Sequence, residues 1–120
     1  MSNYHRSHIP GGTWFFTVNL RNRQSDLLTR YIAQLRAVTA DIKRKKPFLI
    51  NAWVILPEHM HAIWTLPEGD TDYSGRWRDI KKTFTRELGM REVWQPRFWE
   101  HAIRHEDDYR RHMITFTSIR

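Results

Sequence analysis

Two apolar runs, residues 48–56 (FLINAWVIL) and 58–66 (EHMHAIWTL), are separated by little more than Pro57. Both are rich in β-branched and aromatic residues, the composition of strands. So short a junction implies an antiparallel hairpin, and the rest of the chain must be arranged around it. Upstream, "TWFFTVNL" (13–20) follows the Gly11-Gly12 breaker and reads as a strand. From Asp26 to Lys46, Leu27, Leu28, Tyr31, Ile32, Leu35, Val38 and Ile42 recur at spacings of three and four. That is an amphipathic helix, with a cationic last turn suited to the helix dipole and Pro47 preventing its continuation. Downstream, residues 74–88 set Trp77, Ile80, Phe84 and Leu88 on one side of a second helix. An extended signal follows Pro96 within residues 93–105, and residues 106–113 begin a helix with three acids in its first turn. The order β, α, β, β, α, β with a helical start predicts an α+β, ferredoxin-like split βαβ fold, an antiparallel sheet with helices packed on one face.

A chain of 120 residues without internal repeats or linkers is expected to be one domain, residues 1–120. Its 20 Lys and Arg outweigh 13 Asp and Glu, a formal charge of +7, which favours a polyanionic partner without specifying nucleic acid. The absence of cysteine excludes disulfides and thiolate metal sites and fits a reducing cytoplasm. No apolar segment approaches the roughly 18 residues of a membrane span, and the first residues lack the apolar core of a secretory signal. The expectation is a soluble cytoplasmic protein with no membrane partner.

The hairpin also carries "PEHMHAIWTLP". On a strand, His59 and His61 point to one face and Met60 to the other. Two neutral imidazoles at that spacing suit a divalent metal if a third ligand arrives from elsewhere. The alternative is one buried, hydrogen-bonded histidine beside an exposed one, but that requires partners for two imidazoles in one place.

Taken together, "GGTWFFTVNLRNR", "INAWVILPEHMHAIWTLPEGD", "RWRDIKKTFTREL" and "WQPRFWEHAIRHEDDYRRHM" resemble the HUH single-strand nucleases. The resemblance is to the IS200-like tyrosine transposases and their REP-associated branch, and it covers residues 10–113. It implies cleavage and rejoining of single-stranded DNA at hairpins, through a tyrosine that becomes joined to the 5′ end. It also implies that His59 and His61, with one further polar residue, hold Mg²⁺ or Mn²⁺ against the scissile phosphate, and that the protein acts as a monomer. Glu58 reads as a turn or supporting residue more readily than as a ligand.

The last seven residues depart from that family. Where its members carry a run resembling Asp-Tyr-Ile-His-Phe-Asn-Pro, this chain reads "ITFTSIR", which puts Thr115 at the nucleophile's place and Ile119 at the third ligand's. Dropping the first base of a coding sequence for the family run, with one choice of synonymous codons, yields Ile-Thr-Phe-Thr-Ser-Ile-Arg. A single-base deletion would therefore explain the whole altered, truncated tail. Tyr109 is six residues before Thr115, about 240° around a helix, so it points elsewhere and is expected to pack on the strands. Without a tyrosine or third ligand, the expectation is weak metal binding and no efficient nicking.

DNA binding is a separate matter. Arg76, Arg78, Lys81, Lys82 and Arg86 on the second helix, with Arg97 and Arg104 near the last strand, are candidate phosphate contacts. Each is equally readable as part of a solvated face. Trp77, Trp94, Phe98 and Trp99 are candidates for stacking on unpaired bases, although helical and strand spacing already explains Trp77 and Phe98 as core. His5, Arg6 and His8 add a candidate contact at the amino terminus. Two rival readings stand beside the transposase: a non-catalytic nucleic-acid-binding module on the same scaffold, and the product of a degraded gene with neither function.

Overall fold

The computed structural model describes residues 11–104 and 106–118, the side chains of 114–118 excepted. The amino-terminal candidates His5, Arg6 and His8 lie outside the described residues. The four strands are β1 (Thr13–Asn19), β2 (Leu49–Ile55), β3 (His59–Thr65) and β4 (Trp99–Ile103). They form one sheet in the order β2-β3-β1-β4, with every neighbouring pair antiparallel. This is the split βαβ arrangement: β3, second strand of the hairpin, inserts between β1 and β2 and pairs with both along its whole length.

Burial on both faces follows from strand alternation. The even-numbered residues Phe16 and Val18 of β1, and Met60, Ala62 and Trp64 of β3, face the main core. Two long helices cover that face: α2 (Ile32–Lys45) contributes Leu35, Val38 and Ile42, and α3 (Tyr73–Leu88) contributes Trp77, Ile80 and Phe84. The Trp64 and Trp77 rings stack with centroids 4.3 Å apart, which joins sheet to helix at the centre of the layer. Both helices therefore pack where the ferredoxin-like pattern puts them.

The helix expected over 26–46 is divided at Tyr31 (φ −111°, ψ 35°) into a single turn, α1 (Leu27–Arg30), and α2. The N–H of Leu28 donates to Pro57 O in the β2–β3 turn at 3.2 Å. Local periodicity does not contain that long-range anchor, which holds the first turn against the hairpin with Leu27 and Leu28 buried. The last helix, α4 (Glu106–Ser118), takes the other face of the sheet. There Tyr109 and Met113 pack against a second apolar cluster of Phe15, Ile63 and Ile103. Tyr109 is thus a packing residue against the strands. The sheet is covered on both sides, with α4 the one helix on the odd-numbered face among the described residues.

β2 contains a bulge: Ile50 pairs with Trp64 but Ala52 with Ile63, and Asn51 is the extra residue. It lets Ile50 and Trp53, three positions apart, both pack against the main core. The Asn51 amide oxygen accepts from Thr65 Oγ1 at 2.9 Å, and the Thr65 and Thr13 hydroxyls are 2.8 Å apart.

One expected surface contact belongs to the framework instead. Arg76, read from the sequence as a candidate phosphate contact, is 2 % exposed. Its guanidinium donates to Asp70 in bidentate fashion (3.1 and 2.7 Å) and to the carbonyls of Lys46, Pro47 and Asp72 at 2.9–3.1 Å. With those donors committed and no surface available, it has nothing to offer a phosphate. It ties the end of α2, the loop before α3 and α3 itself together. Truncating a buried hydrogen-bonded cation strands its partners, so Arg76→Ala should cost about 3 kcal/mol of unfolding free energy in urea titrations. The Arg76 hydrogen bond, foremost, lowers the Asp70 carboxyl from its ordinary 3.8 to about 2. A depressed carboxyl stabilises the fold above its unfolded value and loses that contribution as pH falls through the folded one. The stability difference between parent and Asp70→Asn should therefore be near full above about pH 4 and be lost as pH falls through about 2.

Candidate functional site

β3 emerges from the Pro57-Glu58 turn with His59 and His61 on its odd-numbered face, as alternation requires. Their ring centroids are 5.1 Å apart and the planes cross at 81°, so the sequence-predicted pair is brought together. Each ring is held by a neighbour at Nδ1. For His59 it is Glu58, whose carboxylate oxygens lie 2.8 and 2.9 Å away. A carboxylate only accepts, so Nδ1–H donates and the neutral ring keeps its lone pair on Nε2. Arg23 fixes Glu58 in turn, its Nε and Nη2 donating to Oε2 at 3.1 and 3.0 Å. Burial raises the Glu58 pKa, but the hydrogen bonds from His59 and Arg23 outweigh it and leave the group below its ordinary value.

For His61 the neighbour is Thr17, directly opposite on β1, with Oγ1 2.9 Å from Nδ1. When the hydroxyl accepts, the His61 lone pair is also on Nε2. Phe15 stacks on the same ring, centroids 5.5 Å apart. Burial first, and the adjacent His59 second, lower the His61 pKa from 6.5, partly offset by a hydrogen bond to the Phe16 backbone. The ring is therefore uncharged at neutral pH, the form that ligates. Strand alternation at Glu58 suggests the opposite face, yet the turn lets its carboxylate swing back to His59.

The pair gathers no third imidazole or carboxylate ligand among the described residues. Ile119 lies outside the described residues, and Thr115 is placed in α4 by its backbone alone. Across the sheet, Thr17 is flanked by His61 on one strand and by Trp99 on the other. Trp99 is 53 % exposed, its ring parallel to His101 and edge-on to Phe15. Trp77, by contrast, is fully buried, and Phe98 packs against the main core.

The remaining candidate cations divide. Arg78, Lys81 and Lys82 line one groove of about 450 Å³ on the outer side of α3, with Trp94, Pro96 and Phe98 as its apolar wall. The Lys81 ammonium sits 5.7 and 5.9 Å from the ring centroids of Trp94 and Phe98, and burial lowers its pKa. Its charge is directed by aromatic faces rather than by a carboxylate. Arg86, Arg97 and Arg104 are exposed but do not line this groove. Sequence reasoning missed a further grouping, His101 on β4 with Asp108 and His112 on α4. Its only sequence signal is the Asp108–His112 spacing of one helical turn.

No family model matches the chain. A REP-associated tyrosine transposase of Escherichia coli is 65% identical over 113 residues, 94% of this chain and 68% of the relative. A Haemophilus influenzae protein, provisionally given the same description, is 39% identical over 127 residues, 94% of this chain and 72% of that one. Among solved structures, a REP-associated tyrosine transposase bound to a REP hairpin superposes with a TM-score of 0.84 at 65% identity, covering 93% of this chain and 68% of that one. A Deinococcus radiodurans protein, provisionally described as a transposase, shares the fold alone: TM-score 0.63 at 10% identity, with 88% of each chain covered. The four-stranded antiparallel sheet with its helices is thus a transposase fold. The chain belongs to the REP-associated tyrosine transposases of the IS200-like group.

The histidine geometry has a direct solution test. Nuclear magnetic resonance should find the His61 ring titrating below 6.5, and His59→Ala should move it upward by removing the neighbouring ring's charge. Because the unfolded ring holds its proton more tightly than the folded one, His61 contributes a loss of stability as pH falls through that range.

Proposed function

We propose that this protein binds single-stranded or hairpin DNA and holds Mg²⁺ or Mn²⁺ weakly between His59 and His61, but does not nick. The observation that carries the reading is the pair itself: two imidazoles on one sheet face, each with Nδ1 engaged by Glu58 or Thr17. Both rings are half-buried, and each is oriented by a polar neighbour rather than by packing alone. The arrangement of carboxylate, imidazole and open nitrogen at His59 is the usual support for a metal ligand. A bound divalent ion supplies polarisation of a phosphate oxygen and stabilises charge on a leaving 3′ oxygen.

The chain's own residues do the rest. Glu58 and Thr17 orient the rings, and the lowered His61 pKa keeps its ring in the ligating form. Trp99 offers a stacking surface for an unpaired base one strand beyond Thr17. Arg78, Lys81 and Lys82 offer phosphate contacts beside apolar walls suited to a base or sugar. What the site lacks in this reading is a phenol. Thr115 stands where the family tyrosine is expected, and an aliphatic hydroxyl leaves phosphorus less readily than a phenol does.

A fluorescence titration with a hairpin bearing a single-stranded flank tests the reading. Binding should persist with no covalent adduct and no cleavage under Mn²⁺, whereas a nicked strand would refute the loss of chemistry. Arg78→Ala with Lys82→Ala should weaken binding about tenfold and shrink the slope of log affinity against log salt by about 1.4 for a single strand. Glu58→Gln should lower Mn²⁺ affinity by at least about tenfold, read by electron paramagnetic resonance of the free ion. Replacing residues 114–120 by the family's Asp-Tyr-Ile-His-Phe-Asn-Pro run should restore nicking. Failure to bind any single strand at low salt would instead favour a degraded gene product.

A further inference from the structure

The second histidine grouping lies on the same sheet face but belongs to different elements. His101 projects from β4, while Asp108 and His112 are one turn apart on α4. One donor atom from each of the three lies within 4.8 Å of the other two. His101 Nε2 is 3.1 and 3.3 Å from the two Asp108 carboxylate oxygens, and His112 Nδ1 is 3.8 Å from Oδ1. Donors around a four-coordinate ion with bonds of about 2.0–2.1 Å stand about 3.3 Å apart. The His101–Asp108 edge already has that separation, and His112, its Nδ1 committed to a carbonyl, would ligate through Nε2, its ring centroid 4.9 Å from that of His101.

The surroundings suit a cation. Asp108 is 7 % exposed; burial raises its pKa, but hydrogen bonds from His101 and from the Arg104 N–H hold it net below the ordinary carboxylate range. The carboxylate is therefore ionised in a protected position. The His112 Nδ1 donates to the Asp108 backbone carbonyl at 2.8 Å, which fixes the ring orientation as carbonyl partners do for metal-binding histidines. Phe15 packs on His112 at 4.5 Å, and Trp99 lies parallel to His101 at 5.8 Å, so aromatic walls bound two sides. The His101 side chain is 38 % exposed and leaves a route for an ion from solvent. None of these three side chains ligates at the His59/His61 pair in the reading above.

We infer that His101, Asp108 and His112 form a second cation site, separate from the His59/His61 pair and selective for a borderline transition ion of the Zn²⁺ type. Two imidazoles and one carboxylate are the donor set such ions take, with a fourth position left to water. Occupancy would clamp α4 to β4. That is the helix on which position 115 falls, three residues after His112.

Zinc titration calorimetry on the full chain, after treatment with a chelator, tests the assignment independently of any DNA activity. The His59→Ala/His61→Ala double variant should retain one equivalent of Zn²⁺. His101→Gln, at a partly exposed position, should fold normally by circular dichroism and lose at least tenfold in the affinity of that equivalent. Asp108→Asn should do the same, and its Co²⁺ derivative should lose the intense visible absorption of four-coordinate geometry. Zn²⁺ should raise the melting temperature of the parent but not of His101→Gln. Two results would overturn the proposal: loss of all Zn²⁺ binding in the double variant, or unchanged affinity in His101→Gln. The second outcome would leave the three side chains as a hydrogen-bonded latch only.

Discussion

Strand β3 is paired on both sides, and its alternation assigns every residue to one of two unlike environments. Met60, Ala62 and Trp64 go into the layer under α2 and α3, while His59, His61 and Ile63 go to the face that α4 covers. A slip of one residue would exchange the two sets, placing imidazoles in an aromatic core and indole on the chemical face. The hydrophobic cost of that exchange holds the histidine pair in place more firmly than any hydrogen bond to the rings. The fold thus makes its site as a by-product of burying its strand.

The two faces also divide the charge. On the helix side, Arg76 is consumed in joining α2 to α3, and Lys46 bridges to Asp79 at 2.8 Å. Arg78 and Lys82 are exposed along the outer surface of α3, with Lys81 half-buried between them and donating to the Gln95 carbonyl beside Trp94 and Phe98. On the other face, Arg23, Glu58 and His59 form a chain of hydrogen bonds that runs from a surface guanidinium to a ring nitrogen. The groove beside α3 and the histidine pair thus lie on opposite faces of one sheet.

The order of elements was readable because long periodic stretches carry it, and the hairpin in particular has a short connection and strong strand composition. The split at Tyr31 was not, since the Leu28 to Pro57 bond joins residues far apart in sequence and leaves no trace in local spacing. Arg76 looked like its neighbours on a charged helix, and only the burial of its position distinguishes it from Arg78. His59 and His61 were legible from alternation alone. The His101, Asp108 and His112 grouping was not, because it forms only when α4 returns to the face opposite the other helices, and the few apolar positions of residues 106–113 do not say which face that is.

Asn51 shows what a single extra residue does to such a sheet. By interrupting the pairing between Ile50 and Ala52, it puts the outer strand half a pleat out of step, so that Ile50 and Trp53 meet the same layer. Its amide oxygen then accepts from the Thr65 hydroxyl, itself bonded to that of Thr13, at the end of the hairpin remote from the histidines. The edge strand is indexed there like a ruler against a stop, and sliding it by one notch would break that polar anchor and eject Trp53 together. Alignment of the histidine-bearing end is consequently secured from the opposite end of the strand.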